Sequence, residues 1–485
     1  MNTVLVWFRS DLRLTDNQAL AAALAHASHV VPVYVAAPDG EPGAPRGARR
    51  WWLHHSLLAL EAGLAARGAP LVVVRGPSAT ALSALARTLG AGSVYWNRRL
   101  EPALAAEDRA VAAALGAAGI GAAGFGGALL LEPGAVATRA GEPFRVFTPF
   151  WRASQPQLAA CGAPLAAPAH IPSLPAPPDA LPVAALGLLP RGSWADGFSA
   201  RFTPGEAAAQ RRLAQFLDES VAGYPEQRDR PDRPGTSRLS PHLASGELSP
   251  RQLLAAATSA ALLPGSAARA RGVESFVRQL GWREFAQHVL HHFPATPEHP
   301  LVPNAAPLVW RDDPEALAAW QQGRTGIPLV DAGMRELWHT GWMHNRVRMV
   351  VASFLTKNLL LDWRLGARWF LETLLDADLA NNTLGWQWAA GCGADAAPYY
   401  RIFNPVLQAE RFDPERAYLR CWLPELAALP DEWLHRPDAA PPSVLAAAGV
   451  VLGRSYPQPI VGLAASRARA LEALKAVRAA RSTSR

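Results

Sequence analysis

TVLVWFRSDLRLTDNQAL (residues 3–20) opens on six apolar or β-branched residues and passes at once into charges, amides and a short Leu/Ala run. TVLVWF has the composition of a buried strand, and the charges that follow it are not those of a signal peptide. Thr15 or Asp16 is placed to cap a helix over 16–28. Strand, polar turn and helix in that order begin a βαβ unit. The pattern recurs in HVVPVYVAA (29–37), PLVVVRG (70–76) and SVYWN (93–97), separated by helical stretches at 50–67 and 78–89. This alternation predicts an α/β domain over residues 1–130, a parallel sheet with flanking helices. No GxGxxG occurs in it, so the dinucleotide fingerprint is absent.

Outward from this unit the texture changes. Residues 163–192 are rich in proline, which predicts an extended, semi-rigid connector inside an interdomain linker spanning 131–200. Beyond 200 the strand patterns stop. Helical spacing runs through 205–220, 249–262, 270–292, 313–322, 328–340, 342–359 and 365–376, so residues 201–480 are expected to form a large all-α domain. The last residues read as one basic terminal helix with a short frayed end.

Composition narrows the function. The 485 residues are too many for one ordinary domain. No apolar run approaches a membrane span, so no membrane association is expected. Three widely spaced cysteines, Cys161, Cys392 and Cys421, give neither a disulfide framework nor metal spacing. A reducing cytoplasm and no metal are the expectation. Lys and Arg total 47 against 40 acids, and only Lys357 and Lys475 are lysines. An arginine-rich basic chain suits a nucleic-acid partner. The 17 tryptophans suit packing, base stacking or electron transfer.

Four stretches carry chemistry. In GTSRLSPHLASGELSP (235–250), Gly235, Thr236, Ser237 and Ser240 offer amides and hydroxyls before a proline-started helix. That loop suits a pyrophosphate or, equally, an ordinary capped turn. VRQLGWREFAQHVL (277–290) and TGWMHNRVRMVVASF (340–354) put polar groups on apolar helices. Asn345, Arg348 and Met349 share a face there, and a buried Arg348 needs an acid such as Asp376 or Asp378. In LLDADLANNTLGWQWAAGCGADAAP (374–398), Asp378, Asn382 and Trp386 are spaced i, i+4, i+8, one helical face over roughly 12 Å, although Gly385 is placed to break that helix. An acid, an amide and an indole in line suit a polar heteroaromatic ring such as a flavin.

Taken together with WREF (282–285), GRTGIPLVDAGMREL (323–337), GWMHNRVRM (341–349) and DADLANNTLGWQWAAGCGADAAPYYRIFNP (376–405), these stretches resemble the DNA photolyase/cryptochrome family over residues 3–462. The resemblance is to the bacterial branch that repairs cyclobutane pyrimidine dimers, near the plant cryptochromes. It implies a carbon–carbon lyase, a deoxyribodipyrimidine photolyase, with an N-terminal antenna domain and a helical domain holding FAD. It would act as a monomer on UV-damaged DNA.

By the same resemblance, Tyr224, Thr236, Ser237, Arg238, Leu239 and Ser240 would hold the phosphates and ribityl chain. Phe276, Asn345, Arg348, Asp376, Asp378 and Asn382 would surround the rings, with Asn382 facing the redox-active nitrogen. Trp386, Trp363 and Trp310 fall at the positions of an electron relay to the surface; Trp338, Trp369 and Trp388 allow other routes. Trp282 and Trp388 would sandwich the flipped lesion. Arg228, Arg346, Arg401 and Gln408 would contact phosphates or fill the vacated space, and Met349 would lie beside Asn345 on the lesion side. The family's dimer-repairing members place a glutamate, hydrogen-bonded to the damaged bases, where this chain has Gln279, and its six-four members place glutamine there. Repair of six-four photoproducts also calls for histidines where Asn345 and Met349 stand, so the cyclobutane dimer is the expected substrate and six-four repair the alternative. Glu101 is retained in the antenna segment, but Ala103 and Leu104 replace the family's folate-binding pair. The expected antenna is methenyltetrahydrofolate, with a deazaflavin second. The rival readings are a blue-light receptor that signals without repair and a flavin-bearing single-strand or RNA-binding protein.

Overall fold

A computed structural model of the chain describes residues 2–41, 43–263, 267–302, 310–395 and 401–482, with side chains through 475. Residues 396–400 of the long motif ending at 405, and the expected frayed end at 483–485, lie outside the described residues.

Five parallel strands, β1 Thr3–Phe8, β2 His29–Ala36, β3 Val72–Arg75, β4 Ala91–Asn97 and β5 Gly121–Phe125, form one sheet in the order β3-β2-β1-β4-β5. Successive side chains of a strand point to opposite faces. Val4, Val6 and Phe8 accordingly pack into one apolar layer, and Leu5 and Trp7 into the other. Helices α1 Gln18–His26, α2 Ala48–Ala65, α3 Ser78–Thr88 and α4 Pro102–Ala117 supply those layers. The fifth strand, GAAGF, contains no β-branched residue, and nothing in its composition announces it. Pairing with Ser93–Asn97 of β4 makes it a strand.

Neither Thr15 nor Asp16 caps α1. Asn17 does, accepting from the Leu20 amide at 3.1 Å. Asp16 instead adopts a left-handed backbone (φ 55°) and is fully buried. Its carboxylate accepts from Ser249 and Arg251, both at 2.5 Å, across to the helical part of the chain.

Helix α5 Phe147–Ala159 lies within the proline-bearing connection, which also holds a 3-10 turn at Val183–Leu186 and a run of turns and bends over 191–201. The helical part then runs α6 Glu206–Gln215, α7 Tyr224–Gln227, α8 Ser240–Ala244, α9 Pro250–Leu262, α10 Ala267–His292, α11 Pro314–Gln321 and α12 Pro328–Thr340. It continues through α13 Asn345–Ser353, α14 Trp363–Thr373, α15 Leu379–Ala390, α16 Pro405–Phe412, α17 Ala417–Trp422, α18 Pro442–Ala447 and α19 Leu463–Ser482. The helix expected over 342–359 is shorter: α13 starts at Asn345, and a π-turn at Phe354–Asn358 ends it. Gly385 does not break α15, which runs on to a left-handed stop at Gly391. Among the described residues no helix is long and apolar enough to cross a membrane.

Candidate functional site

The 235–240 loop is shaped by close approach. A Cβ on Gly235 would sit 2.5 Å from the Cβ of Gln227, so only glycine fits there. Arg238 holds a left-handed backbone (φ 52°) and lays its guanidinium over the Trp342 ring at 5.2 Å. Leu239 is buried, Thr236 and Ser237 are half-buried, and exposed Ser240 accepts from Trp342 Nε1 at 3.4 Å. Tyr224 and Phe276 meet edge to face at 5.8 Å beneath them.

Trp342 leads directly into α13. His344 caps that helix, its Nδ1 accepting from the Arg346 amide at 3.2 Å. Burial pushes the His344 imidazole down to about 4, so it is neutral at physiological pH. Glu336 of α12, pushed up to about 7 by burial, accepts from Tyr418 Oη at 2.8 Å and from the His344 amide at 3.3 Å. Two atoms in this group, Nε of Arg238 and Nε2 of His344, are buried with no hydrogen-bond partner. Buried polar atoms are almost always paired in native folds, so these mark a place for a polar ligand. A guanidinium, hydroxyls and the N-terminus of α13 together fit a pyrophosphate.

Arg348 resolves the choice between two acids. It pairs with Asp376 at 2.8 and 3.1 Å and donates through Nε to the Met343 carbonyl. Asp378 is the cap of α15, accepting from the Asn381 amide at 2.8 Å and from Gln287 at 3.2 Å. Asn382 follows one turn later and donates to the Ala367 carbonyl at 3.0 Å, which leaves its oxygen and second N–H for a ring. Asn345 is exposed on α13 with Met349 beside it, Nδ2 to Sδ 4.0 Å.

A second cluster flanks this one. Arg228 donates to Oε1 of Gln279 at 3.0 Å, and Gln279 in turn donates to the Ser275 carbonyl at 3.3 Å. Arg346 pairs with Asp229 at 2.6 Å and lies over Phe412. Oε1 of Gln408 is buried without a partner. Arg401 is exposed, and its carbonyl accepts from Lys357, whose ammonium burial pushes down to about 7. Trp282 is stacked on Phe147 with centroids 3.8 Å apart, and Trp388 stacks on Phe403 at 6.2 Å.

The tryptophans sort differently from their sequence order. Trp386 is buried edge-on against Phe370 (5.0 Å) and Trp320 (6.1 Å). A Cβ at Gly366 would come within 2.0 Å of its ring. Trp363 is buried and Trp310 half-buried in the same core. Trp338 stacks on Trp369 at 5.8 Å and touches Trp194 at 5.2 Å. Sequence reasoning passed over Trp320 and Phe147, both fully buried, because an aromatic residue on an apolar face carries no signal beyond packing.

A cleft open to solvent lies where the sheet meets the helices. Ser10, Asp11 and Arg13 follow β1, and Asn97 ends β4 with Arg98 to Glu101 after it, so the cleft sits at the carboxyl ends of the two strands between which the sheet order reverses. Glu101 is pushed up to about 6 there by burial and by Asp378. Leu104 lines the cleft. Among the described residues no group of acids, histidines and cysteines is placed to hold a metal.

Comparison with known proteins agrees with this geometry. Residues 4–173 match the DNA photolyase family and residues 276–476 match the FAD binding domain of DNA photolyase. A deoxyribodipyrimidine photo-lyase of Agrobacterium fabrum is 46% identical over 98% of this chain and 98% of its own. Cryptochrome-1 of Arabidopsis thaliana is 39% identical over 97% of this chain and 70% of its own. The crystal structure of a class III photolyase from Agrobacterium tumefaciens superposes with a TM-score of 0.94 at 45% identity, covering 99% of this chain and 98% of that one. The chain belongs to the DNA photolyase family, a two-part flavoprotein with an FAD-binding helical domain.

Proposed function

We propose that the chain repairs cyclobutane pyrimidine dimers in UV-damaged DNA, using light. The observation that carries this reading is that α13 contributes to two arrangements, Arg348 to one and Arg346 to the other. One is the polar set around Arg238, His344, Arg348, Asp376, Asp378 and Asn382. The other is Arg346 with the bonded pair Arg228 and Gln279, to which the reading adds Trp282 of α10 and Trp388 of α15.

Fully reduced FAD, when bound, supplies on blue-light excitation the electron that opens the dimer. The residues of the chain supply the rest. Arg238, Thr236, Ser237 and Ser240 hold the diphosphate, and Tyr224, Leu239 and Phe276 wall the loop. Arg348 with Asp376, and Asp378 with Asn382, orient the polar edges of the rings. Enzymes that act on a base, photolyases among them, take it out of the stack, and damage lowers that cost. Trp282 and Trp388 then hold the dimer by stacking, worth about 1–3 kcal/mol per base. Arg346, Arg401 and Gln408 engage the backbone or the vacated space, fixing register without reading sequence. Once the dimer has received an electron, the two bonds joining the pyrimidines break. The electron then returns, so nothing is consumed. Trp386, Trp363 and Trp310 relay electrons inward from the surface when the resting flavin must first be reduced.

The cleft at the strand ends is the proposed antenna site, since α/β sheets bind ligands where the strand order reverses. Methenyltetrahydrofolate is the first candidate and a deazaflavin the second. We further propose a cytoplasmic monomer divided near residues 130 and 200. The test is blue-light irradiation of the reduced protein with dimer-containing oligothymidylate. Light-dependent recovery of thymine absorbance is expected. A bound, photoreducible flavin with no recovery would reject dimer repair in favour of signalling.

A further inference from the structure

We infer that the segment Arg145–Phe147, at the start of α5, positions both indoles of the proposed lesion pocket and so sets the gap into which the dimer fits. This rests on Trp282 and Trp388 being the lesion platform, as proposed above.

The first link is a ring stack. Phe147 is fully buried and lies face to face with Trp282, centroids 3.8 Å apart and planes within 10°. Trp151, one turn further along α5, lies nearly parallel to Phe147 at 6.0 Å. The Arg278 guanidinium packs on the Phe147 ring at 4.9 Å, and Phe285 meets its edge at 5.8 Å. Trp282 is half-buried. One of its faces is therefore taken by Phe147, which leaves the other for a base. The close approach of α5 to α10 depends on Gly281, where a Cβ would come within 2.3 Å of the Trp151 ring. The glycine immediately before Trp282 thus lets the column Trp151–Phe147–Trp282 form.

The second link is made by the backbone. After Trp388, α15 stops at Gly391 and the chain turns back to Asp395, which has a left-handed backbone (φ 51°). The Asp395 amide donates to the Arg145 carbonyl at 3.0 Å, and the Phe147 amide lies near enough to favour the charged form of its carboxyl. Arg145, two residues before Phe147, is thereby tied to the turn that ends the Trp388 helix. Two walls from distant helices share one strut, and the strut comes from the connection between the two parts of the chain. A stacking pocket gives affinity only if its two faces are held at the separation of the inserted ring pair.

The test uses the flavin-loaded full chain. Dark dissociation constants are measured for a dimer-containing oligonucleotide and for the same strand undamaged, with repair per absorbed photon at saturating substrate as a second readout. Phe147→Leu, which keeps apolar volume but removes the ring, is expected to weaken dimer binding about tenfold. Binding of undamaged strand, flavin content and yield at saturation should stay near wild type. Phe147→Tyr should restore most of what Leu loses. Unchanged dimer affinity in Phe147→Leu, or an equal loss for damaged and undamaged strand, overturns the inference. Trp282→Ala separates it from the reading it rests on. Unchanged dimer binding in that variant would reject the platform itself, whereas loss in Trp282→Ala alone would reject only the strut.

Discussion

Arg228 donates to the side-chain oxygen of Gln279 at 3.0 Å, and among the described residues no carboxylate lies within ion-pair distance of Arg228. Since a guanidinium can only donate and the Ser275 carbonyl can only accept, the Gln279 amide has one orientation, with its oxygen toward Arg228 and its nitrogen toward Ser275. The Arg228 edge of the pocket therefore carries a positive charge with no carboxylate partner among the described residues, set over the Tyr224 ring at 5.6 Å. Gln279→Glu would neutralise it by forming an ion pair with Arg228. The expected result is weaker binding of dimer-containing DNA and a salt dependence of log K that is shallower by up to about one. An unchanged slope, measured by titration at several salt concentrations, would mean that Arg228 does not face the DNA.

The pair of Arg348 and Asp376 offers a second test. The Asp376 carboxylate is almost fully covered and its partner's side chain is 24% exposed. Asp376→Ala leaves a guanidinium short of its counter-charge inside the proposed flavin site. Breaking such a pair from one side costs about 3–5 kcal/mol when both partners are buried. The exposure of Arg348 places the expected loss at the low end, and the protein should purify largely without flavin. Flavin content by absorbance and thermal unfolding check this together.

Burial holds the His344 imidazole at about 4, below the 6.5 of the unfolded chain. The folded state consequently binds fewer protons than the unfolded one between those values. The contribution of His344 is intact above about 6.5 and is lost as pH falls toward 4. The raised carboxyl of Glu336 acts in the opposite sense, favouring the fold below its own value of about 7. Total stability therefore mixes the two, and the informative quantity is a difference. His344→Asn keeps a side chain able to cap α13 but does not titrate. Between pH 6.5 and 4 the apoprotein should lose melting temperature more steeply in wild type than in this variant. Parallel curves would contradict the assignment.

What was legible in the chain divides along a physical line. Arg348 with Asp376 could be anticipated, because a cation on an apolar helix must find an acid and only two were at hand. The sheet was legible in four runs of β-branched residues, but GAAGF (121–125) was not, since its strand character comes from the neighbour it pairs with. Thr15, Asp16 and Asn17 are all cap formers. Only the folded chain shows Asp16 turned away in a left-handed backbone to meet Ser249 and Arg251. Phe147 and Asp395 were invisible for a similar reason. Their partners lie far off in sequence, and the approach is licensed by a glycine at 281 that looks, in sequence, like a helix blemish.

The electron route is the point at which sequence position and packing diverge most. Resemblance places Trp386, Trp363 and Trp310 in series, yet the indole in ring contact with Trp386 is Trp320, whose Nε1 donates to the Val351 carbonyl at 3.1 Å. Trp320 is wholly enclosed, so an electron that it gives up to Trp386 cannot be replaced from the surface. Trp310 is half-buried and can be re-reduced from solvent. A relay must end at such a group, which favours Trp363 as the middle member. Trp363→Phe should therefore abolish blue-light reduction of the oxidised flavin by an external donor, while Trp320→Phe slows it little. Both variants, reduced chemically beforehand, should repair dimers as wild type does, because repair returns its electron and does not draw on the relay. Flavin absorbance under illumination follows the first step and thymine absorbance the second. Loss of photoreduction in Trp320→Phe but not in Trp363→Phe would move the route to the enclosed indole.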